Sequence, residues 1–572
     1  MPDPEDATTP LSGGKLFARA LGDAGVRTVF TLAGGHIMQL LDALVPPGVR
    51  VIDHRHESAA ALAAEGWALA TGAPGLAAVT AGPGFTNALT GLFDAGVWNV
   101  PLVLVGGRSG LRVAGQGAVG EIDQRAIASP AVKWAATCYE TERIPRHVAE
   151  ALYRARAGRP GAVYLELPQD VLHGAARPPE GALEGFPAGP PRPTAPAGDV
   201  EQAAELLRRA ERPLLLAGGG AFWSGAGDAL DRLCARTGLP VTTTSSARGL
   251  IPDSHPSCLG TLVHGGVALL SADVVMVLGS AFNANLGYGR PPLFGVDQRV
   301  IQVDVSADAL GGNRRPDLGL VGDVTRVLED LLATWEASPD PGREKRQRWL
   351  SDCLEWVDAS RQMWDGQIEG HGNGAIHAGA AAREVAAFAR EATAGACTLV
   401  ADGGDALAWA LGYFWAERPG RMLHTTTALG TLGVGVPFAL AARAARPDEP
   451  VFAFLGDGSF GLSAMEVDTL VRHRLPVVIV VSNNAGWGDV RHEHPEAVEY
   501  AGPRVAAELA SSRYDRLAEA LGAHGERVER LDDLRPALTR ALDSGRPAVI
   551  DVVTDPQVQA ELLKIVGELG LM

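Results

Sequence analysis

Short apolar runs alternate with amphipathic segments along most of the chain. The runs at 28–32, 76–80, 274–278 and 477–481 have the length of buried strands, and glycine or asparagine follows each within two residues. Segments with helical spacing of apolar residues lie between such runs. This alternation is typical of strand–helix–strand units with parallel strands. It therefore predicts an α/β protein built from three doubly wound parallel-sheet domains.

Proline-rich and charged stretches divide the chain. Residues 174–200 contain seven prolines, and residues 338–372 are charged with helical spacing. A chain of 572 residues is too long for one core, so both stretches are predicted to separate domains. The predicted order is a first domain at 11–175, a proline-rich linker at 176–200, a middle Rossmann-like domain at 201–335, a helical linker at 336–375, a third domain at 376–555 and a C-terminal segment at 556–572.

Composition excludes several classes of partner. The formal net charge of −17 argues against nucleic acid and acidic membranes. The five cysteines are singly spaced, as in reduced proteins, and no apolar run approaches the ~20 residues of a membrane helix. The acidic N-terminus does not resemble a signal peptide. We therefore expect a cytoplasmic enzyme with a small-molecule substrate.

The segment 451–488 pairs two apolar runs with polar strand ends. One run leads into Gly-Asp-Gly-Ser at 456–459, and the other leads into Asn483 and Asn484. The helix between them has the capping-box spacing at Ser463 and Glu466, which predicts its start. Such a crossover places the two polar strand ends side by side at the edge of the sheet where ligands bind.

The residue types at these strand ends suit a metal and an anion. A carboxylate at Asp457 and an amide oxygen at Asn484 are ligands that Mg²⁺ accepts. Nearby glycines let backbone N–H groups approach a phosphate. A tight turn would explain Gly-Asp-Gly alone, but the asparagine 27 positions after Asp457 favours a metal–diphosphate site.

This combination resembles the cofactor motif of the thiamine diphosphate (ThDP, or thiamine pyrophosphate) enzymes. The resemblance implies that Asp457, Asn484 and the backbone carbonyl of Gly486 hold Mg²⁺, which binds the diphosphate of ThDP. In that family one active site takes residues from two subunits. The resemblance therefore implies that Glu57 of one subunit meets Asp457 of its partner, in a homodimer at least and, by expectation, a homotetramer.

Further cofactor contacts follow from the same resemblance. Residues 55–66 resemble the segment carrying the family's glutamate, which gives Glu57 a hydrogen bond to N1′ of the aminopyrimidine; taken alone, Glu57 is a charge at a helix N-terminus. Leu432 would support the bent cofactor, although its pattern is also that of a core leucine. The other residues expected at the cofactor are Gly34, Gly35, Gly82, Asn87, Gly404, Asp405, Leu407, Gly430, Gly458, Ser459, Trp487 and Gly488.

A triple glycine, Gly218 to Gly220, follows the apolar run 214–217 of the middle domain. A Rossmann nucleotide site is one interpretation, but the G-x-G-x-x-G spacing and a ribose-binding acid are missing. Related middle domains hold FAD, ADP or no nucleotide. ADP is therefore a candidate ligand, and an ordinary glycine turn is the alternative.

Within the family, the chain resembles the benzaldehyde-lyase-like and 2-hydroxyacyl-CoA-lyase-like branches. Shared segments lie at 32–37, 79–90, 121–135 and 482–488. Three positions depart from benzaldehyde lyase, which has glutamine, tryptophan and tyrosine where this chain has Val119, Gln169 and Leu407. These differences argue against benzoin cleavage.

The segment 487–494 and the tail 561–572 most resemble the actinobacterial 2-hydroxyacyl-CoA lyases. This resemblance implies cleavage of a 2-hydroxyacyl-CoA, such as 2-hydroxyisobutyryl-CoA, to formyl-CoA and a ketone or aldehyde, reversible as a carboligase. Glu493 would move the substrate proton with His36 assisting or competing, although the charged run around Glu493 also fits a solvated face. Residues 556–572 would close as a lid over CoA.

Three alternative functions stay open. The first is an acyloin lyase or carboligase acting on free aldehydes, which would need no CoA. The second is a decarboxylase like oxalyl-CoA decarboxylase or acetolactate synthase. The third is a non-catalytic protein of the same fold, which the presence of Glu57, Asp457 and Asn484 disfavours.

Overall fold

The computed structural model describes residues 9–46, 48–177, 186–187, 189–372, 374–424, 429–492, 505–561 and 563. The chain forms two compact units. The first comprises the residues up to Pro191 with Val436–Arg446 and Ser463–Leu475, and the second comprises the rest. Among the described residues, no helix combines the length and apolar character needed to cross a bilayer.

The first unit is built on a six-stranded parallel sheet with the order β3-β2-β4-β5-β7-β6. Its core includes Phe17, Val29, Val105 and Leu165, from a helix and three strands. A short antiparallel pair, β1 with β8, lies outside this sheet. The elements up to residue 176 are β1 (Leu11–Ser12), α1 (Gly13–Asp23), β2 (Thr28–Leu32), α2 (Met38–Leu44), β3 (Arg50–Asp53), α3 (Glu57–Thr71), β4 (Gly75–Val79), α4 (Pro83–Trp98), β5 (Leu102–Arg108), α5 (Gln124–Ala128), β6 (Trp134–Thr137), α6 (Ile144–Arg156), β7 (Val163–Pro168), α7 (Gln169–His173) and β8 (Ala175–Ala176).

The second unit contains the other two six-stranded parallel sheets. The middle sheet has the order β11-β10-β9-β12-β13-β14, which is the Rossmann order 3-2-1-4-5-6. Its elements are α8 (Ala197–Arg209), β9 (Pro213–Ala217), α9 (Gly219–Ser224), α10 (Gly227–Thr237), β10 (Val241–Thr243), β11 (Cys258–Thr261), α11 (Leu262–Ser271), β12 (Val274–Leu278), β13 (Arg299–Asp304), β14 (Leu318–Val321) and α12 (Val324–Glu336).

The third sheet has the order β16-β15-β17-β18-β20-β19. Its core includes Leu399, Phe454, Val480 and Ile550, one from each of its four inner strands. The elements from residue 343 onwards are α13 (Arg343–Glu369), α14 (Ala378–Thr393), β15 (Thr398–Asp402), α15 (Asp405–Tyr413), β16 (Met422–Leu423), α16 (Gly435–Ala445), β17 (Val451–Gly456), α17 (Asp457–Ser463), α18 (Glu466–Arg472), β18 (Val478–Asn483), α19 (Gly488–His492), α20 (Tyr514–Ala520), β19 (His524–Val528), α21 (Leu534–Asp543) and β20 (Ala548–Val553).

The predicted fold class, three parallel-sheet α/β domains, is confirmed. The first and third sheets share one topology, since their strands in chain order are arranged 2-1-3-4-6-5 in both. The predicted crossover is also present, because β17 and β18 pair in parallel with Phe452 opposite Val478. One difference concerns the proline-rich linker. Helix α8 begins at Ala197, before the predicted end of that linker, because Val200 already packs into the middle core.

The triple glycine of the middle domain lies where β9 and β12 are neighbours. The Gly220 N–H donates to the Gly279 carbonyl at 2.8 Å, and a Cβ at Gly220 would lie 2.8 Å from the Gly279 Cα. Close packing of the two strand–helix turns is therefore sufficient to explain glycine at position 220. ADP binding by this domain stays a prediction.

The capping box predicted at Ser463 and Glu466 is wrong. Helix α17 ends at Ser463, a second helix begins at Glu466, and the Ser463 hydroxyl has no hydrogen-bond partner among the described residues. The reason is that the Glu466 carboxylate accepts hydrogen bonds from the Arg55 N–H at 3.0 Å and the Thr469 hydroxyl at 2.6 Å. A contact far away in the sequence therefore replaces the local cap.

Candidate cofactor site

A small cavity opens at the carboxyl ends of β15, β17 and β18 in the second unit. The parallel strands bring three loops to one edge of the sheet, as the crossover pattern predicts. Ten of the sequence-predicted residues line it, together with Gly403, Ala406, Gly456 and Ser482. The ten are Gly404, Asp405, Leu432, Asp457, Gly458, Ser459, Asn484, Gly486, Trp487 and Gly488.

Asp457 is the central acidic group of this cavity. It is 1% exposed, and its Oδ2 accepts the Gly486 N–H at 3.1 Å. Burial raises the pKa of Asp457 to about 6, and backbone N–H groups, first that of Gly486, act in the opposite direction. A buried carboxylate with few counter-charges is an environment that a bound cation would stabilise.

Asn484 provides the second oxygen. Its Oδ1 is buried and has no hydrogen-bond partner among the described residues. The preceding Asn483 faces another way, because its Nδ2 donates to Asp551 Oδ1 at 2.8 Å and to the Ser512 carbonyl at 3.0 Å. The two asparagines therefore differ in role, and Asn484 is the one available to a ligand.

These groups fit a magnesium ion. A buried carboxylate and an unpaired amide oxygen are hard oxygen donors, and Gly486 adds a backbone carbonyl in the same cavity lining. Across the described ranges, no cluster of three or more His, Cys, Asp or Glu side chains could hold a metal. A site made of one carboxylate, one amide and one carbonyl does not require such a cluster.

Leu432 is held in the cavity wall by a buried carboxyl. Asp402, at the end of β15, accepts the Gly435 N–H through Oδ2 at 2.8 Å. Burial raises the pKa of Asp402 to about 7, against backbone N–H groups that include those of Gly433 and Val434. Asp402 thus binds the segment that directly follows Leu432. The plain interpretation of Leu432 as a core leucine is replaced by a position in the cavity lining.

The loop after β15 contacts the C-terminal segment. Asp405 Oδ1 accepts the Ala560 N–H at 2.7 Å, and burial raises the pKa of Asp405 to about 7.

Two of the cofactor contacts predicted in the second unit are not in the cavity lining. Leu407 packs against the core of the second unit, and Gly430 adopts φ 71° with open space around its α-carbon.

The first unit gathers a second set of predicted residues. Glu57 begins α3, is 6% exposed, and accepts the Asn87 side-chain N–H at 2.9 Å through Oε2. A Cβ at Gly84 would lie 2.7 Å from Thr80 Cγ2 and 3.3 Å from Glu57 Oε1. Glycine at this turn therefore allows α4 to approach the carboxylate. Asn87, predicted as a cofactor contact, holds the Glu57 side chain.

His36 is fixed by both of its ring nitrogens. Nε2 lies 3.1 Å from the Val119 carbonyl, and Nδ1 lies 3.0 Å from Thr80 Oγ1. Since a carbonyl can only accept, Nε2 carries the hydrogen, and in the neutral ring Nδ1 accepts from the threonine hydroxyl. Gly34 lies at the same threonine, because a Cβ there would overlap the Thr80 side chain.

A buried glutamine supports the loop between β4 and α4. Gln124 Oε1 accepts the Gly82 N–H at 2.9 Å, and its Nε2 donates to the Gly107 carbonyl at 2.9 Å and to Tyr164 Oη at 3.0 Å. Gly82 has φ 65°, a conformation that favours glycine. Gly35, by contrast, has open space around its α-carbon. Four cofactor contacts were predicted in this unit besides Glu57: Gly34, Gly35, Gly82 and Asn87. Three of them contact other residues of this group, since Gly34 packs on Thr80, Gly82 binds Gln124 and Asn87 binds Glu57.

Some predicted residues lie outside the described part of the chain. Glu493 is one of them, as are Leu562 and residues 564–572 of the tail, and residues 425–428 before Leu432. Sequence reasoning gave no role to Thr80, Gln124 and Asp402, and it assigned Glu466 to a capping box instead. Thr80 and Gln124 lie in the segments 79–90 and 121–135, which the family resemblance covers. A polar residue in such a segment could have indicated a role at the site. Asp402 and Glu466 bind distant backbone N–H groups, those of Gly435 and Arg55, and no local pattern reveals these contacts.

Comparisons with known proteins give a family match for each of three segments of the chain. A model of the thiamine pyrophosphate enzyme N-terminal TPP binding domain matches residues 11–127, the central domain matches 200–331, and the C-terminal TPP binding domain matches 402–552. The chain is 38% identical over 555 residues to a probable acetolactate synthase of Mycobacterium bovis, with 96% of each chain covered.

Two further relatives carry a different name. The chain is 35% identical over 580 residues to a 2-hydroxyacyl-CoA lyase of Oryza sativa subsp. japonica, with 97% of each chain covered. It is 33% identical over 591 residues to 2-hydroxyacyl-CoA lyase 2 of Bos taurus, with 96% of this chain and 91% of the relative covered. With three matching domains and relatives of this identity along its whole length, the chain belongs to the thiamine pyrophosphate enzyme family.

Proposed function

We propose that this enzyme is a Mg²⁺-dependent carbon–carbon lyase that cleaves a 2-hydroxyacyl-CoA to formyl-CoA and a ketone or aldehyde, and that also runs in reverse. When bound, ThDP supplies a nucleophilic carbon and a ring that accepts the electron pair of the broken C–C bond. The 2-hydroxyl group loses its proton, and the carbon that becomes the formyl group gains one. The reaction therefore needs a group that accepts and returns a proton.

The observation that carries the proposal is the hydrogen bond from the Ala560 N–H to Asp405 Oδ1 at 2.7 Å. Asp405 lines the cavity, so the segment that leads into the tail arrives beside the candidate cofactor site. Ala560 thus lies next to a residue of the cavity lining, which is where a lid over a long substrate such as an acyl-CoA thioester would have to begin. This supports the resemblance of residues 556–572 to a lid.

The described residues support separate roles in cofactor binding, metal binding and proton transfer. Glu57 would bind the aminopyrimidine, and Asp457, Asn484 and Gly486 would hold Mg²⁺ at the diphosphate. The nitrogens of His36 are engaged with the Val119 carbonyl and the Thr80 hydroxyl. Because accepting a substrate proton would cost His36 one of these contacts, Glu493 is our candidate for the proton transfer. His36 would then fix the loop around Val119.

The second candidate is an acetolactate-synthase-like reaction, in which a 2-oxo acid loses CO₂ before a new C–C bond forms. The observation that favours it is the 38% identity to the probable acetolactate synthase of Mycobacterium bovis. The cavity described above serves both reactions, since both use the same cofactor. Substrate choice therefore depends on residues beyond the metal and diphosphate site.

Product analysis separates the two reactions. The protein would be incubated with ThDP and Mg²⁺, once with a panel of 2-hydroxyacyl-CoAs and once with pyruvate, and the products identified by liquid chromatography and mass spectrometry. We expect formyl-CoA from the first mixture and no acetolactate from the second. The Glu57→Ala variant is the control for cofactor-dependent turnover. Acetolactate without formyl-CoA would refute the lyase in favour of the second candidate.

We also propose the assembly and location that the family resemblance implies. A homodimer is the minimum unit, a homotetramer is the expected one, and Glu57 and Asp457 of one site come from different subunits. All five cysteines are buried and unpaired, which supports a reducing, cytoplasmic environment. The domain boundaries predicted from the sequence are part of the same proposal.

A further inference from the structure

Arg491 uses every hydrogen-bond donor of its guanidinium group. Nε donates to Glu508 Oε1 at 3.0 Å, and Nη2 donates to Glu508 Oε2 at 2.8 Å and to the Ala485 carbonyl at 3.0 Å. Nη1 donates to the carbonyls of Asn484 at 3.3 Å and Pro556 at 3.4 Å. Five N–H groups therefore meet five acceptors. The side chain is 10% exposed, so this arginine is not a solvated surface charge.

Two of these acceptors, the carbonyls of Asn484 and Ala485, belong to the candidate metal loop, residues 484–486. The side-chain oxygen of Asn484 would bind Mg²⁺, and its backbone carbonyl accepts a hydrogen bond from Arg491. Ala485 has φ 55°, a left-handed conformation that is unfavourable for alanine and needs support from its surroundings. The next residue, Gly486, gives the third candidate ligand. Arg491 thus holds the backbone on both sides of the peptide bond between Asn484 and Ala485.

The contact between this arginine and the loop requires glycine at position 486. A Cβ on Gly486 would overlap Arg491 Nη2. The backbone of Arg491 is also held in place, because its N–H donates to the Trp487 carbonyl at 2.8 Å in the first turn after the loop. The loop and the arginine are therefore matched in shape as well as in hydrogen bonding.

The other acceptors connect the loop with two distant segments. Glu508 belongs to a stretch that runs beside the metal loop, where the Trp487 N–H donates to the Ala507 carbonyl and the Leu509 N–H donates to the Ala485 carbonyl, both at 2.8 Å. Pro556 begins the segment that reaches Asp405 through Ala560. One side chain therefore joins the metal loop, the Glu508 stretch and the start of the tail.

We propose that Arg491 is a positioning residue for Mg²⁺: it orients the backbone at Asn484 and Ala485 so that the Asn484 amide oxygen and the Gly486 carbonyl face the metal, without itself contacting metal or cofactor. The inference rests on the proposed magnesium site. Support of ligands by outer hydrogen bonds typically changes metal affinity by about 10–100-fold. A positive charge acting through Coulomb interaction alone would have the opposite sign, since it repels a cation.

The key variant is Arg491→Lys, which keeps the charge but replaces the planar five-donor fork with one ammonium group. The measurement is the Mg²⁺ concentration needed for ThDP binding, followed by isothermal titration calorimetry, together with the melting temperature of the metal-free protein. Glu508→Gln is the second variant, because it leaves the three carbonyl contacts of Arg491 in place. Arg540→Lys, at the exposed ion pair with Glu526, is the control for loss of a surface guanidinium.

We expect Arg491→Lys to raise the required Mg²⁺ concentration about 10–100-fold, Glu508→Gln to raise it less, and Arg540→Lys to leave it unchanged. An unchanged Mg²⁺ requirement in Arg491→Lys would refute the inference. So would a lower melting temperature accompanied by parental Mg²⁺ affinity, since this would make Arg491 a purely structural brace. If the parent itself binds ThDP without Mg²⁺, the magnesium site is refuted and not only the role of Arg491.

Discussion

Glu466 supports the Glu57 segment from a distant part of the chain. It is 2% exposed and holds the Arg55 N–H, two residues before Glu57, at 3.0 Å. Its other oxygen accepts the Thr469 hydroxyl. Burial raises the pKa of Glu466 to about 7, although the Thr469 hydroxyl and the backbone N–H of Arg55 act in the lowering direction. The carboxyl that positions this segment therefore titrates near neutral pH.

We expect Glu466→Gln to remove a pH dependence of stability. The folded-state pKa of about 7 lies above the ~4.3 of an unfolded glutamate, so the folded state binds the proton more tightly. The stabilisation is complete below about pH 4.3 and is lost as the pH rises through 7. Glutamine keeps an acceptor for Arg55 and does not titrate. In urea-unfolding experiments, the stability of the variant relative to the parent should therefore increase by about 1–3 kcal/mol between pH 5 and pH 8.

A matched control for this experiment lies in the same unit. Glu150→Gln removes a carboxylate from an exposed helical ion pair with Arg154, where the contribution to stability is small. Its pH profile should follow that of the parent. If the Glu466→Gln profile also runs parallel to the parental profile from pH 5 to pH 8, the buried carboxyl does not titrate in this range and the prediction is wrong.

Two inner strands were predicted with the same bounds that the structure gives them. Thr28–Leu32 and Val274–Leu278 are β2 and β12 with the predicted bounds, because strands covered on both faces are continuous apolar runs. The edge strand β6, Trp134–Thr137, was missed because it is alanine-rich and only half-buried. The inner strands β7 and β20 were also not predicted, although nearly all of their residues are buried, so burial alone does not decide which strands the pattern reveals.

Some residues of the candidate site could be predicted from the sequence, and others could not. The shared position of Asp457 and Asn484 in one cavity lining could be predicted, because the two residues follow neighbouring parallel strands and topology brings those strand ends together. The supporting residues could not be predicted in this way. Glu466 acts on Arg55, which is 411 positions away, and the charged run at Arg491 gave no sign that its side chain turns inward. Such contacts depend on tertiary packing.

The turn between β17 and α17 is shaped by an aromatic neighbour. A Cβ at Gly458 would lie 2.6 Å from Cε3 of Trp487, which is closer than van der Waals contact allows. Both residues line the cavity. Glycine at this position therefore lets the start of α17 approach the loop after β18. By contrast, a Cβ at Gly461, later in the same helix, would meet open space.

These two glycines make a matched pair. We expect Gly458→Ala to destabilise the protein by about 1–3 kcal/mol, because Trp487 must move, and to weaken ThDP binding through the displaced cavity wall. Gly461→Ala should be neutral or stabilising by up to about 1 kcal/mol, since alanine favours helix. Urea unfolding and calorimetric titration with ThDP and Mg²⁺ measure both effects. If the two variants have the same stability and the same ThDP affinity, the contact of Gly458 with Trp487 contributes to neither, and the prediction is wrong.

At the scale of the whole molecule, one sheet topology occurs twice and carries different predicted site residues. The first and third sheets have the same strand order, and each presents predicted site residues at the carboxyl ends of its strands. The first carries Glu57 just after β3, and the third carries Asp457 and Asn484 after β17 and β18. Neither unit alone contains both the predicted pyrimidine contact and the predicted metal ligands.

Complementation tests whether two subunits share each site, as we propose. Glu57→Ala and Asp457→Ala should each be inactive alone, the first because it lacks the pyrimidine contact and the second because it lacks a metal ligand. If the two variants are co-expressed and the dimers form at random, half of them are mixed, and each mixed dimer has one intact site. Activity should therefore return to about one quarter of the parental value. Mixed dimers purified with two different affinity tags should show half the parental activity by the same reasoning. If these purified mixed dimers are inactive, each chain builds its own site, and the shared arrangement is wrong even though the residue assignments could stand.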